Sequence, residues 1–121
     1  MQSFAKTAFP VLAWLFVLGV IAQVLLAGMV VVAGQIDWTI HRDSGHILGL
    51  PLILMLIFMY LGKLPSAAKR TTWILFVVYI IQADVIIFMR ESLPVVSAFH
   101  PVLALVDFCL GIKLVGESKE A

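Results

Sequence analysis

The stretch FPVLAWLFVLGVIAQVLLAGMVVVA, residues 9–33, decides the fold, because it contains no charged side chain. A helix crossing a bilayer needs about 20 consecutive apolar residues, whereas a helix on a soluble core keeps a polar face. Lys6 imitates the basic start of a cleavable signal peptide, but the apolar run behind it is too long for one. Three more such runs follow, from about 41 or 46 to 62, from about 72 to 89 and from about 95 to 115. The pattern predicts an all-α, four-helix transmembrane up-and-down bundle forming a single domain over residues 1–121. The connectors are short, so sequential helices run antiparallel. No internal repeat stands out at a fixed period.

Composition agrees with this reading. The chain is 63% hydrophobic and 12% charged, about half the charge of an ordinary soluble domain. A net charge of +1 gives no basic surface for nucleic acid, which is excluded as a partner. The single cysteine, Cys109, cannot form an intrachain disulfide and reads as a small buried apolar residue. No nucleophile–base set, phosphate loop or metalloprotease motif is present, so the sequence points away from an independent catalytic activity.

Charge asymmetry sets an expected orientation. Lys6, Lys63, Lys69, Arg70, Lys113 and Lys119 lie at one end of the bundle, against Arg42 and Arg90 at the other. The positive-inside rule then puts both termini in the cytoplasm. Trp38 and Trp73 stand where aromatic side chains anchor at the two interfaces.

The three histidines, His41, His46 and His100, fall at the outer ends of the second and fourth helices. Histidine in or at the lip of a bilayer is rare and most often serves a metal, a cofactor or a proton relay. Counting the helical rise from the basic ends puts His46 about 24 Å and His100 about 20 Å up, with Gln23 at about 25 Å, Gln82 at about 18 Å and Asp84 at about 21 Å. Each helix thus contributes a polar side chain to one layer. Such groups are costly in hydrocarbon unless they meet partners, so a structural hydrogen-bond clamp is an open alternative to a ligand site.

His41 and His46 are five residues apart, about 140° around one helix, and cannot both serve one small site. Depth counting favours His46. The face of His41 favours a cofactor, since Gly45 and Gly49 lie below its ring and clear space for a planar macrocycle. In the fourth helix Ser97, His100, Ala104, Asp107 and Gly111 form a similar small and polar stripe. The second and fourth helices run parallel, so their histidines stand at the same end and can ligate one haem iron between them. Copper, with His46 or Asp84 as a third ligand, and a chlorophyll-type pigment on one histidine are open on the same residues. Asp84 is expected to orient a ligand histidine, Asp107 to have a structural or proton-passing role, and Arg42 with Asp43 to form a solvated mouth.

These residues also carry a resemblance. Gln23 with Ala27 and Gly28, His41 with Gly45, Gln82, and Phe99-His100-Pro101 resemble the pattern of a family of small bacterial four-helix membrane proteins of unknown function. The likeness covers nearly the whole chain. It departs at Leu103, where the family often has a polar residue, and at His46, where it has an aromatic one. The resemblance implies His41 and His100 as a pair, in a layout similar to minimal b-type cytochromes, and a bacterial inner-membrane location.

Three functions follow as expectations. The first is a haem b electron-transfer protein or membrane-anchor subunit with His41 and His100 as ligands and Gly45 and Gly49 beside the cofactor. The second is an assembly subunit of a larger complex, possibly pigment-binding, and the third a small metal-handling or transport protein. All three imply membrane lipids as surroundings, and other membrane subunits or a redox partner as neighbours.

Overall fold

The computed structural model describes residues 1–119; Glu120 and Ala121, the end of the expected domain, lie outside the described residues. Four helices are long and apolar enough to cross a membrane: α1 (Gln2–Ala33), α2 (Trp38–Leu61), α3 (Ser66–Phe88) and α4 (Pro94–Lys119). No strand is present among the described residues. α1 ends in a π-helical turn, Met29–Ala33, and α3 contains another, Ile81–Val85. α4 opens with a short turn, Pro94–Ser97, and continues as regular helix over His100–Lys119.

Three of the helices begin earlier than hydropathy suggests. α1 takes in the polar residues around Lys6, α2 starts at Trp38 on the N-cap Asp37, and α3 starts at Ser66 behind Pro65. Polar end residues continue a helix as readily as apolar ones, but an apolar run does not count them. Gly34 closes α1 in the left-handed conformation, φ 61°, with its N–H on the Met29 carbonyl.

The helices form a ring in chain order. α1 packs on α2 and α4, and α3 packs on the same two, so α2 and α4 are diagonal across the bundle. The buried side chains advance by alternating steps of four and three: Phe9, Ala13, Phe16 and Val20 on α1, Leu48, Leu52, Met55 and Met59 on α2. On α4 the same seam reads Asp107, Gly111, Leu114 and Ser118. Steps of three and four keep one face inward and let near-antiparallel helices interdigitate. The outward faces are also apolar, with residues such as Leu18, Val24, Ile57, Val77 and Leu105 exposed. In lipid those faces carry no burial penalty, so packing shape rather than hydrophobicity selects the seam.

Gly111 shows that selection at one point. A Cβ built there would lie 2.7 Å from the Val17 Cγ2 and 3.5 Å from Phe16, so α1 and α4 touch at this residue without a side chain between them. Cys109 lies on the other side of α4 and is exposed rather than buried, because two residues from Asp107 is more than half a turn around the helix.

Candidate functional site

At one end of the bundle, His41 from α2 and His100 from α4 meet across the diagonal. Their ring centroids are 6.1 Å apart, with the ring planes at 70°. Each ring is held the same way. His41 Nδ1 lies 3.1 Å from the backbone carbonyl of Gln23 on α1, and His100 Nδ1 lies 2.8 Å from that of Gln82 on α3. A carbonyl only accepts, so in the neutral ring each Nδ1 carries the proton and each Nε2 keeps its lone pair.

Each glutamine stands 18 residues before the histidine it holds. The bundle therefore consists of two helical hairpins, α1–α2 and α3–α4, with one repeated device. Reading for a fixed-period repeat misses it, because only two residues per hairpin recur and the apolar sequence around them is free to drift.

The π-helical turn in α3 explains how Gln82 can act. In a regular α-helix the N–H of Ile86 would bond to the carbonyl of Gln82. Here it bonds to Ile81 instead, one residue further back, which releases the Gln82 carbonyl for His100. Single π turns inside α-helices recur at functional sites for this reason.

The glutamine side chains fill the layer. Gln82 Nε2 is 3.4 Å from His100 Nε2, a donor facing a lone pair. The Gln23 amide lies 2.7 Å from the Ser44 hydroxyl; with its oxygen turned to Ser44 and to the Gly45 N–H, its nitrogen is 2.8 Å from the His41 carbonyl. Trp38 stands edge-on to His41, centroids 5.5 Å apart.

Gly45 and Gly49 each face a side chain of a neighbouring helix. A Cβ on Gly45 would be 3.4 Å from the Gln23 Oε1, and one on Gly49 would be 3.6 Å from the Tyr79 ring. The glycines admit the side chains of facing helices. Tyr79 donates its hydroxyl to the Gly45 carbonyl and packs edge-on against Phe16, tying α3 to α2 and α1 directly below the imidazoles.

His46 is outside the pair. Its side chain is 60% exposed, and its Nε2 lies 3.6 Å from Asp84 Oδ1. Asp84 thus faces His46, and backbone carbonyls orient the paired rings in its place. Depth counting favoured His46 because it assumes level, straight helices, whereas the actual register of α2 is set by His41 and Ser44 docking on Gln23. Arg42 and Asp43 form an exposed ion pair at the mouth, 2.9 Å apart. Among the described residues no group of three or more His, Cys, Asp or Glu side chains could hold a metal ion.

Asp107 lies about two helical turns below His100 on the same face of α4. It is 1% exposed, and its Oδ1 has no hydrogen-bond partner.

The two imidazoles are the residues that could hold a haem iron between α2 and α4. Nδ1–H groups bonded to carbonyls are the usual support of ligating histidines.

No curated protein and no solved structure matches the chain. A family match covers residues 23–87, just over half of the sequence, and takes in Gln23, His41, Gly45, Gly49, Gln82 and Asp84 while stopping short of His100. The chain belongs to this family of unknown function, DUF6220.

Proposed function

We propose that this chain is an integral membrane haem-binding protein of the b-cytochrome kind, an electron-transfer or membrane-anchor subunit in which His41 and His100 ligate the iron. One observation carries the reading: two imidazoles from diagonal helices stand 6.1 Å apart, each tethered through Nδ1 to a backbone carbonyl. The tethers leave both Nε2 lone pairs available and raise the basicity of the rings. A bound haem supplies one-electron exchange at a potential set by its axial ligands and surroundings. Gln82, which meets His100 Nε2, would turn aside on ligation, and Trp38 would cover the outer edge of the site. Two imidazoles, with no third His, Cys, Asp or Glu grouped with them among the described residues, favour haem over copper.

In this reading both termini face the cytoplasm of a bacterium and the site lies near the outer face of its inner membrane, as the excess of Lys and Arg at the opposite end favours. The electron partner is another membrane component.

The test is the absorption spectrum of the full chain, expressed with haem available and purified in detergent. A Soret band that disappears in His41→Ala and in His100→Ala, and survives in His46→Ala, is expected. Folded, colourless wild-type protein overturns the proposal and leaves the polar layer as a hydrogen-bond clamp, which the Gln82–His100 contact already resembles.

A further inference from the structure

α4 buries the side chain of Asp107. It is a carboxyl at 1% exposure, close to the middle of a helix long and apolar enough to cross a membrane, with one oxygen that meets no donor. An ionised carboxylate in such a place lacks both hydration and hydrogen bonds, and the charged form is the costly one. Ionisable residues inside membrane bundles are rare and commonly serve protons or ions.

The surroundings define what could change its state. Tyr79 and Asp84 on α3 are within electrostatic range of one another, and Tyr79 also of Asp107. Tyr79 is committed to the Gly45 carbonyl and Asp84 to His46. α1, which brings Phe16 and Val17 against Gly111, has no ionisable residue in its apolar run. α2 contributes His41, whose ring meets that of His100. On α4 itself the neighbours are His100, about 10 Å above, and the Lys113–Glu117 pair, beginning about 9 Å below. The imidazole layer is therefore the nearest place on its own helix face at which a new charge could arise within the bundle.

We propose that Asp107 is the proton-binding site of the bundle, coupled to the charge between His41 and His100. This rests on the haem reading. When that centre carries its oxidised, positive charge, the Asp107 carboxyl releases a proton to water. When a one-electron reductant delivers an electron and cancels the charge, the Asp107 carboxylate takes one proton back. One electron is taken up at the metal and one proton at Asp107, and no other bond changes. The interaction reaches across two helical turns because the buried interior between the groups screens weakly.

Two measurements test it. Infrared spectroscopy of the haem-free full chain at neutral pH is expected to show the carbonyl stretch of a neutral carboxylic acid, absent in Asp107→Asn. A wild-type spectrum with carboxylate bands only overturns the proposal, whatever haem does. On the haem-loaded protein, the midpoint potential is expected to fall as pH rises in the wild type and to lose that slope in Asp107→Asn, which keeps the shape and polarity of the side chain. Equal slopes in the two proteins defeat the coupling alone. A preparation with no Soret band defeats the haem reading and the coupling with it.

Discussion

The firmer hold of Gln82 on His100 is through the backbone: the His100 Nδ1 donates to the Gln82 carbonyl over 2.8 Å, against 3.4 Å between the Gln82 and His100 Nε2 atoms, and the π-helical turn Ile81–Val85 is what frees that carbonyl. Gln82→Ala should therefore keep the ring in place and retain the Soret band. Deleting Ala83, which restores regular α-helical bonding across the turn, should return the carbonyl to the helix ladder and lose the band. Spectra of the two variants side by side check the point, and loss of the band in Gln82→Ala alone would refute it.

Gly111→Ala should destabilise the bundle by about 1–3 kcal/mol, the usual cost of forcing a methyl group into a packed contact. The contact is the stiff β-branched Val17, 2.7 Å from the new Cβ. Gly116, where a Cβ meets nothing within 4 Å, is the control, and Gly116→Ala should be neutral or slightly stabilising. Unfolding in detergent with increasing denaturant compares the two.

Tyr79→Phe removes the hydroxyl that reaches the Gly45 carbonyl and leaves the ring against Phe16. The expected loss is about 0.5–1.5 kcal/mol, the net value of one hydrogen bond. The Soret band should persist, since the Tyr79 hydroxyl is bonded to the Gly45 carbonyl and not to an imidazole. A loss of colour with unchanged stability would assign Tyr79 to the site itself.

Asp37 caps α2 by accepting from the Thr39 N–H at 2.6 Å, outside the membrane-spanning segments. Hydrogen bonding from Thr39 to the charged form, by its side chain first and its backbone N–H second, holds the Asp37 carboxyl below its ordinary range. A depressed carboxyl stabilises the folded chain above its unfolded value, and the contribution is lost as pH falls through the lower folded value. The wild type should therefore lose thermal stability in strongly acidic solution more steeply than Asp37→Asn, which caps without titrating. Melting curves at several acidic pH values measure the difference, and parallel curves would rule out the linkage.

Much of the fold is legible in the chain. Residues 9–33 and the three later apolar runs are enough for four antiparallel helices, and the helical rise predicts one polar layer of Gln23, His46, Gln82, Asp84 and His100, of which His46 and Asp84 face one another instead of the imidazole pair. The inner faces were less legible. Phe16 and Leu18 are equally apolar, yet one is fully buried and the other faces outward, because hydropathy cannot separate a protein neighbour from a lipid one. Asp107 and Gly111 could be placed on the inner face from their stripe, since polar and small residues do make that distinction.

The sequence by itself determined the helices, their order and the identities of the polar side chains, because each follows from local composition and from the cost of leaving backbone or polar groups unpaired in hydrocarbon. Only the tertiary structure set the ring of His41, rather than that of His46, beside His100, turned Asp84 toward His46, and put the Gln23 and Gln82 carbonyls on the two rings. Those outcomes depend on the register between helices and on one π-helical turn. Both arise from side chains packing across the bundle, which no periodicity along the chain records.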